Sequence, residues 1–166
     1  MAMGCGSSNP TTEVEGIGPV PVPLVPAVES MATVATLSLS GTNLRGDASA
    51  LPIARALKRS TTLLELQLSN CQLFARGAGF IAKALEANPP LSKLVLSSNC
   101  IGGWIDTGSG GRDAMYSPQG AKDLIEALKV NTNLTSLDLS DNGWSNPDRQ
   151  ALQVALQSRG TTTFNL

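Results

Sequence analysis

A chain of 166 residues, 42% hydrophobic, 15% charged and with a formal net charge of −1, has the size and apolar content of a single globular domain. Its 12 Lys and Arg are scattered, so no basic stripe offers itself to nucleic acid. Histidine is absent, which removes His-based acid–base catalysis, the serine triad and the commonest metal ligand, and no run reaches the roughly 18 apolar residues of a membrane span. Cys5, Cys71 and Cys100 make no disulfide framework; an odd count without a secretory signal points to a reducing compartment.

Residues 1–30 differ from the rest. They hold five of the ten prolines, at positions 10, 19, 21, 23 and 26, among Gly, Ser and Thr. The stretch Gly18-Pro-Val-Pro-Val-Pro-Leu-Val-Pro26 favours polyproline II and predicts a flexible tail over 1–30. The same residues carry an alternative. Leu24, Ala27 and Val28 form a helical stripe, so the segment also reads as a degenerate half-repeat over the N-terminal end of the core, shortened by Pro26. Pro23-x-x-Pro26 fits a third use, as a proline-rich ligand.

From Val34 one phrase recurs four times: Val34-Ala-Thr-Leu37-Ser-Leu39-Ser, Leu63-Leu-Glu-Leu66-Gln-Leu68-Ser, Leu91-Ser-Lys-Leu94-Val-Leu96-Ser and Leu134-Thr-Ser-Leu137-Asp-Leu139-Ser. Apolar residues at phrase positions one, four and six give a short strand one inward face. Position nine holds Thr42, Cys71, Asn99 and Asn142, and position eleven holds Leu44, Leu73, Ile101 and Trp144. Each phrase is followed by an i, i+3, i+4 helical stripe: Ile53/Ala56/Leu57, Ile81/Ala84/Leu85, Leu124/Ala127/Leu128 and Leu152/Ala155/Leu156. Pro52 is expected in the first turn of the first of these helices, and Ser117-Pro118 and Asn146-Pro147 each place a capping side chain before a proline. Thr161-Thr-Thr-Phe164-Asn-Leu166 restates positions one, four and six as a terminal strand. Phrase starts lie 29, 28 and 43 residues apart, a period that means a solenoid whose units cannot bury their apolar faces alone. The long spacing carries an insertion over 102–117. Its glycines suggest mobility, while Trp104, Ile105, Met115 and Tyr116 suggest anchoring to the solenoid or to a partner.

These phrases resemble those of leucine-rich repeat proteins, and the helix in each repeat is similar to the ribonuclease-inhibitor-like class. The resemblance runs from about residue 28 to the C-terminus. It implies an α/β solenoid over residues 31–166, a right-handed βα superhelix with parallel strands on the concave face and helices on the convex face. It implies little about function, because one fold hosts many. Tropomodulins carry similarly short domains of this class, which opens an actin-binding, cytoskeletal reading; Ran GTPase-activating proteins carry similar repeats, which opens a GTPase-regulatory one. Against them stand the lack of a helical extension and upstream actin-binding segments for the first, and of an acidic tail for the second.

In such a fold the residues between the buried leucines face the concave surface: Thr36, Ser38, Glu65, Gln67, Lys93, Val95, Ser136 and Asp138. Glu65 and Lys93 fall one strand spacing apart. The position-seven serines, Ser40, Ser69, Ser97 and Ser140, are expected to satisfy turn backbone and to suit a tight parallel stack. Cys71 and Cys100 read as structural, and Asp138, Asp141 and Asp148 as solvated carboxylates, not calcium ligands. No arrangement supplies nucleophile, base and oxyanion donors together. The expectation is a monomeric, non-catalytic interaction module without cofactor or metal, taking a protein partner on the concave face or through Trp104, Met115 and Tyr116.

Met3-Gly4-Cys5-Gly6-Ser7-Ser8 resembles the N-myristoylation signals of dually acylated proteins such as Src-family kinases and G-protein α subunits. The resemblance implies myristate on Gly4 and palmitate on Cys5, two chains that together hold a protein on the cytoplasmic face of a membrane. Met1-Ala2 stand ahead of the motif, so it acts only in a chain that starts at Met3.

Overall fold

The computed structural model describes residues 11–15, 17–44, 47–104, 115–159 and 163–166. The four phrases form the parallel strands β3 (Thr36–Ser38), β4 (Glu65–Gln67), β5 (Lys93–Val95) and β8 (Ser136–Asp138), and β9 (Thr163–Asn165) adds a fifth. They lie side by side in the order β3-β4-β5-β8-β9. The register aligns like with like: Leu37, Leu66, Leu94, Leu137 and Phe164 share one rung. Between strands run α2 (Asp47–Arg59), α3 (Phe74–Leu85), α4 (Gln119–Val130) and α5 (Asn146–Gln157), each packed on the next. The architecture is therefore the expected α/β leucine-rich repeat solenoid, a strand layer backed by a helix layer.

The buried stripes of the helices close on the inward leucines of the strands. Leu66, Leu94, Ile53, Ile81, Leu124 and Leu152 are wholly shielded from solvent. In the edge strand β3, Val34, Leu37 and Leu39 are only half-buried, since no repeat covers their outer side; Phe164 and Leu166 at the other edge are likewise half-buried.

After each strand the chain turns inward through left-handed residues. At position eight these are Gly41 (φ 79°), Asn70 (55°), Ser98 (57°) and Asp141 (56°); at position ten they are Gln72 (55°), Cys100 (55°) and Gly143 (69°). The turn aims main-chain groups at the core, where only a buried polar side chain can answer them. Position nine does so. Asn99 Oδ1 accepts from the Cys71 and Leu73 amides (2.8 and 3.3 Å), and its Nδ2 donates to the carbonyls of Leu68, Leu96 and Ser97. Asn142 repeats the pattern one repeat later, accepting from Asn99 N at 2.9 Å. Cys71 takes a lesser part: its thiol donates to the carbonyls of Leu39 (3.2 Å) and Ser69 (3.4 Å), and burial pushes its pKa up.

Several local expectations are corrected. Over residues 11–30, except 16, the flexible tail gives way to the alternative reading, a cover on the N-terminal end of the core: β1 (Thr11–Val14) and β2 (Gly18–Pro21) form an antiparallel hairpin, followed by a 3₁₀ turn Val22–Leu24 and α1 (Val25–Ser30). Ile17, Val20, Leu24 and Val28 are buried in the main core. The reason is the open end of the solenoid, whose apolar surface outweighs the extended preference of the prolines. Pro26 sits in the first turn of α1, where a missing N–H costs nothing, and Arg55 on α2 holds the hairpin by donating to the Ile17 carbonyl at 2.6 Å. Pro52 lies at the sixth residue of α2, beyond its first turn. The α5 cap is Ser145, not Asn146: its Oγ accepts from the Asp148 amide and donates to the Asp148 carboxylate. At α4, Pro118 itself is the N-cap residue and no side chain caps it.

Leu94→Ala is expected to lower stability by about 2–5 kcal/mol through lost burial and a cavity. Asn99→Ala should cost a similar amount, because each stranded buried group costs about 1–3 kcal/mol. Urea unfolding followed by circular dichroism measures both; a Leu94→Ala midpoint unchanged from the parent would show the register to be wrong.

Candidate interaction surface

Strand alternation turns the residues flanking the buried rung outward, so the concave face is built from two columns. One runs Thr36, Glu65, Lys93, Ser136, Thr163, and the other Ser38, Gln67, Val95, Asp138, Asn165. All eight residues expected on this face from the four repeats lie in these columns. Thr36 and Ser38 are exposed, and the other six are half-buried by their neighbours across the sheet.

The centre of the face is tied together. Lys93 Nζ lies 2.7 Å from Glu65 Oε1, the oxygen to which Gln67 Nε2 donates at 2.8 Å. The hydrogen bond from Lys93, with that from Gln67 next, holds the Glu65 carboxyl below the usual glutamate range. Glu65 and Lys93 thus neutralise each other. Asp138 is held differently: its Oδ1 accepts from the Ser140 amide (3.1 Å) and hydroxyl (2.8 Å). Val95 stands between Gln67 and Asp138 in its column as the one apolar side chain of the eight. The position-seven serines do not bond turn backbone as expected. Ser97 donates to the Ser69 hydroxyl at 3.0 Å, Ser140 to Asp138, and Ser38 approaches Ser40 at 3.5 Å.

The insertion leaves the solenoid at one point and returns beside it. Strands β6 (Gly103–Trp104) and β7 (Met115–Tyr116) pair antiparallel, Gly103 opposite Tyr116 and Trp104 opposite Met115. The backbone pairing brings these residues together at the neck of the loop. The side chains of Trp104, Met115 and Tyr116 and residues 105–114 lie outside the described residues, as do Gly4 and Cys5. Among the described residues no three of His, Cys, Asp and Glu gather as a metal site. Asp141 is exposed, and Asp148 is buried on Ser145, so it is not the solvated carboxylate expected.

The structure also shows an apolar surface that pattern reading passed over. Ile125, Pro147, Ala151 and Val154 line a shallow groove between α4 and α5, with Val154 67% exposed. Val154 falls outside the buried stripe Leu152/Ala155/Leu156, and that mismatch was its signal in the sequence.

The leucine-rich repeat family profile matches residues 59–82, 87–103 and 130–152, which span the second, third and fourth phrases. Mouse (Mus musculus) ribonuclease inhibitor is 31% identical over 119 residues, 70% of this chain. The chain spans 23% of that relative's length. Among solved structures, leiomodin-1 actin-binding site 2 superposes with a TM-score of 0.68 at 17% identity, covering 86% of this chain and 79% of that one. A tropomodulin C-terminal domain from Caenorhabditis elegans gives 0.46 at 13% identity, over 81% and 91% of the two chains. The chain carries leucine-rich repeats and their fold, similar in sequence to ribonuclease inhibitor and in fold to the leiomodin domain.

Glu65 owes its depressed pKa to a partner that exists only in the folded sheet. Its contribution to stability is present above the unfolded pKa and lost as pH falls through the folded one. Lys93→Met should raise the Glu65 midpoint toward that of an ordinary glutamate, as followed by carboxyl-carbon NMR, and flatten the acid limb of the stability profile. An unmoved midpoint would mean that the pair does not form in solution.

Proposed function

We propose that this protein is a non-catalytic interaction module that holds a protein partner on its concave face. The observation that supports this most directly is the central patch: Val95 flanked by Gln67 and Asp138, beside a Glu65–Lys93 pair already fixed by Gln67. Side chains fixed before binding lose little entropy on binding, and a half-buried valine gives a partner an apolar anchor within a polar frame. The ribonuclease inhibitor likeness favours the same reading, since that relative's name is that of a protein that binds another protein. The test places a photo-crosslinking residue at Val95, and in a second sample at Lys58 on the opposite, helical layer. Val95 should trap a distinct partner that Lys58 does not, and Val95→Arg should abolish its binding to the purified module by about tenfold or more. Equal capture from both faces would sink the reading.

A second reading makes actin that partner. It is favoured by the likeness to the leiomodin-1 domain, whose title names an actin-binding site, although that likeness is one of fold. Cosedimentation with purified actin decides it: pelleting that Val95→Arg abolishes supports actin, and a soluble module at saturating filament leaves another protein as the partner.

The N-terminal phrase adds a tether to this proposal. A chain initiated at Met3 and expressed with an N-myristoyltransferase should carry myristate on Gly4, and one initiated at Met1 should not. In cells the Met3 form should sediment with membranes, Cys5→Ser should release much of it, and Gly4→Ala nearly all, because one acyl chain is only a marginal anchor. Met3-initiated protein without myristate would remove the tether and leave the concave-face reading untouched.

A further inference from the structure

Asn142-Gly143 is the one Asn-Gly pair in the sequence, and the fold has built it into a turn that buries the asparagine and leaves the glycine exposed. Asn142 is 1% exposed and uses its whole carboxamide. Oδ1 accepts from the amides of Asn99 (2.9 Å) and Ile101 (3.4 Å). Nδ2 donates to the carbonyls of Leu96 (2.9 Å), Leu139 (2.9 Å) and Ser140 (3.2 Å). The glycine is equally constrained. Gly143 is left-handed (φ 69°), and a Cβ there would lie 2.5 Å from the Gly103 carbonyl oxygen.

We propose that Asn142 is a site of spontaneous deamidation that the native fold protects and the unfolded chain exposes, so that its modification makes unfolding irreversible. The chemistry needs only water. The Gly143 backbone nitrogen attacks Asn142 Cγ; the new N–Cγ bond forms as the Cγ–Nδ2 bond breaks, and the nitrogen's proton leaves with the ammonia. Water then opens the resulting cyclic imide at either carbonyl. One product is aspartate, the other its isomer with the chain routed through the side-chain carbon. Glycine speeds the attack because no Cβ shields its nitrogen and its backbone turns freely in the unfolded chain.

In the native turn the carboxamide cannot swing toward Gly143 without leaving five partners. After reaction the turn cannot be rebuilt. A carboxylate accepts but does not donate, so it would face three carbonyl oxygens with nothing to give them. The isomer adds a main-chain atom to a turn whose register the next repeat depends on. Exchanging the glycine offers no escape, because the fold itself demands it; the tension lies between the turn's geometry and its chemistry. Asn99 makes an equivalent set of bonds but is followed by Cys100, which makes it an internal control.

The experiment incubates the full chain in mildly alkaline buffer at 37 °C, with and without denaturing urea. Peptide mass mapping reads the gain from NH2→OH exchange at Asn142 and at Asn99, and dilution reads the fraction that refolds. Asn142 should be modified at least about tenfold faster in the unfolded arm, where opening no longer limits access. Asn99 should lag behind it, and the refolded fraction should fall in step with modification at Asn142. Asn142→Cys, which copies the second repeat's Cys71, should keep its refolded fraction through the same incubation; the mass mapping stands without that variant should it fail to fold. The proposal fails if Asn142 reacts equally fast in both arms, if it survives the unfolded arm intact, or if isolated deamidated chain refolds to parental stability.

Discussion

Every repeat must bring its main chain from strand to helix across the edge of the core, and it does so through left-handed residues that point amides and carbonyls inward. Water cannot reach these groups, and each left unpaired costs about 1–3 kcal/mol. Position nine therefore carries a burden that the leucines do not. Asn99 and Asn142 each serve two amides and three carbonyls, partly in their own repeat and partly in the one before. Because each side chain reaches back one repeat, the ladder sets the strand register, and the apolar residues fill the space that the ladder defines. Thr42 and Cys71 occupy the same position in the first two repeats with poorer donors, so the polar ladder strengthens toward the C-terminal half.

The two sides of the described repeat array are closed by different devices. At the first, the β1–β2 hairpin and α1 lay Ile17, Val20, Leu24 and Val28 over the core. At the last, Arg159 lies behind the final turn of helix. Its guanidinium donates to the carbonyls of Leu128, Asn131 and Leu134, while burial lowers its pKa. The carbonyl of Leu128 corresponds to that of Leu85 one repeat earlier, which the Asn131 carboxamide serves, so a cation here takes the place of an amide at the helix-to-strand turn. Among the described residues the Arg159 Nε is buried without a partner, so this closure leaves one donor unanswered.

Between these ends the concave face is held by bonds that serve no fold requirement of their own. Gln67 bonds Glu65, Lys93 pairs with Glu65, and Ser140 restrains Asp138. Pairs of this exposure do little for stability. What they do is hold side-chain positions on a sheet whose backbone the buried rung already keeps rigid. This arrangement suits recognition of a protein surface, and the proposed function rests on it.

The sequence by itself determined the repeat, the inward leucines, the helical stripes and the membership of the two concave columns, because periods of two and of 3.6 leave direct traces in residue order. The adjacency of Glu65 and Lys93 was legible for the same reason: a constant phrase implies a constant register. Other features depended on what surrounds a residue, which order alone does not record. Proline content described Gly18–Pro26 as extended chain and the Leu24/Ala27/Val28 stripe described a half-repeat, and only the exposed end of the core decided for hairpin and helix. The caps moved to Ser145 and Pro118 because a helix begins where its neighbours let it pack, not where a capping residue first occurs. The roles of Arg159 and of the Ser69–Ser97 pair came from groups 25 or more residues away in the chain, brought within bonding distance only when the repeats stacked.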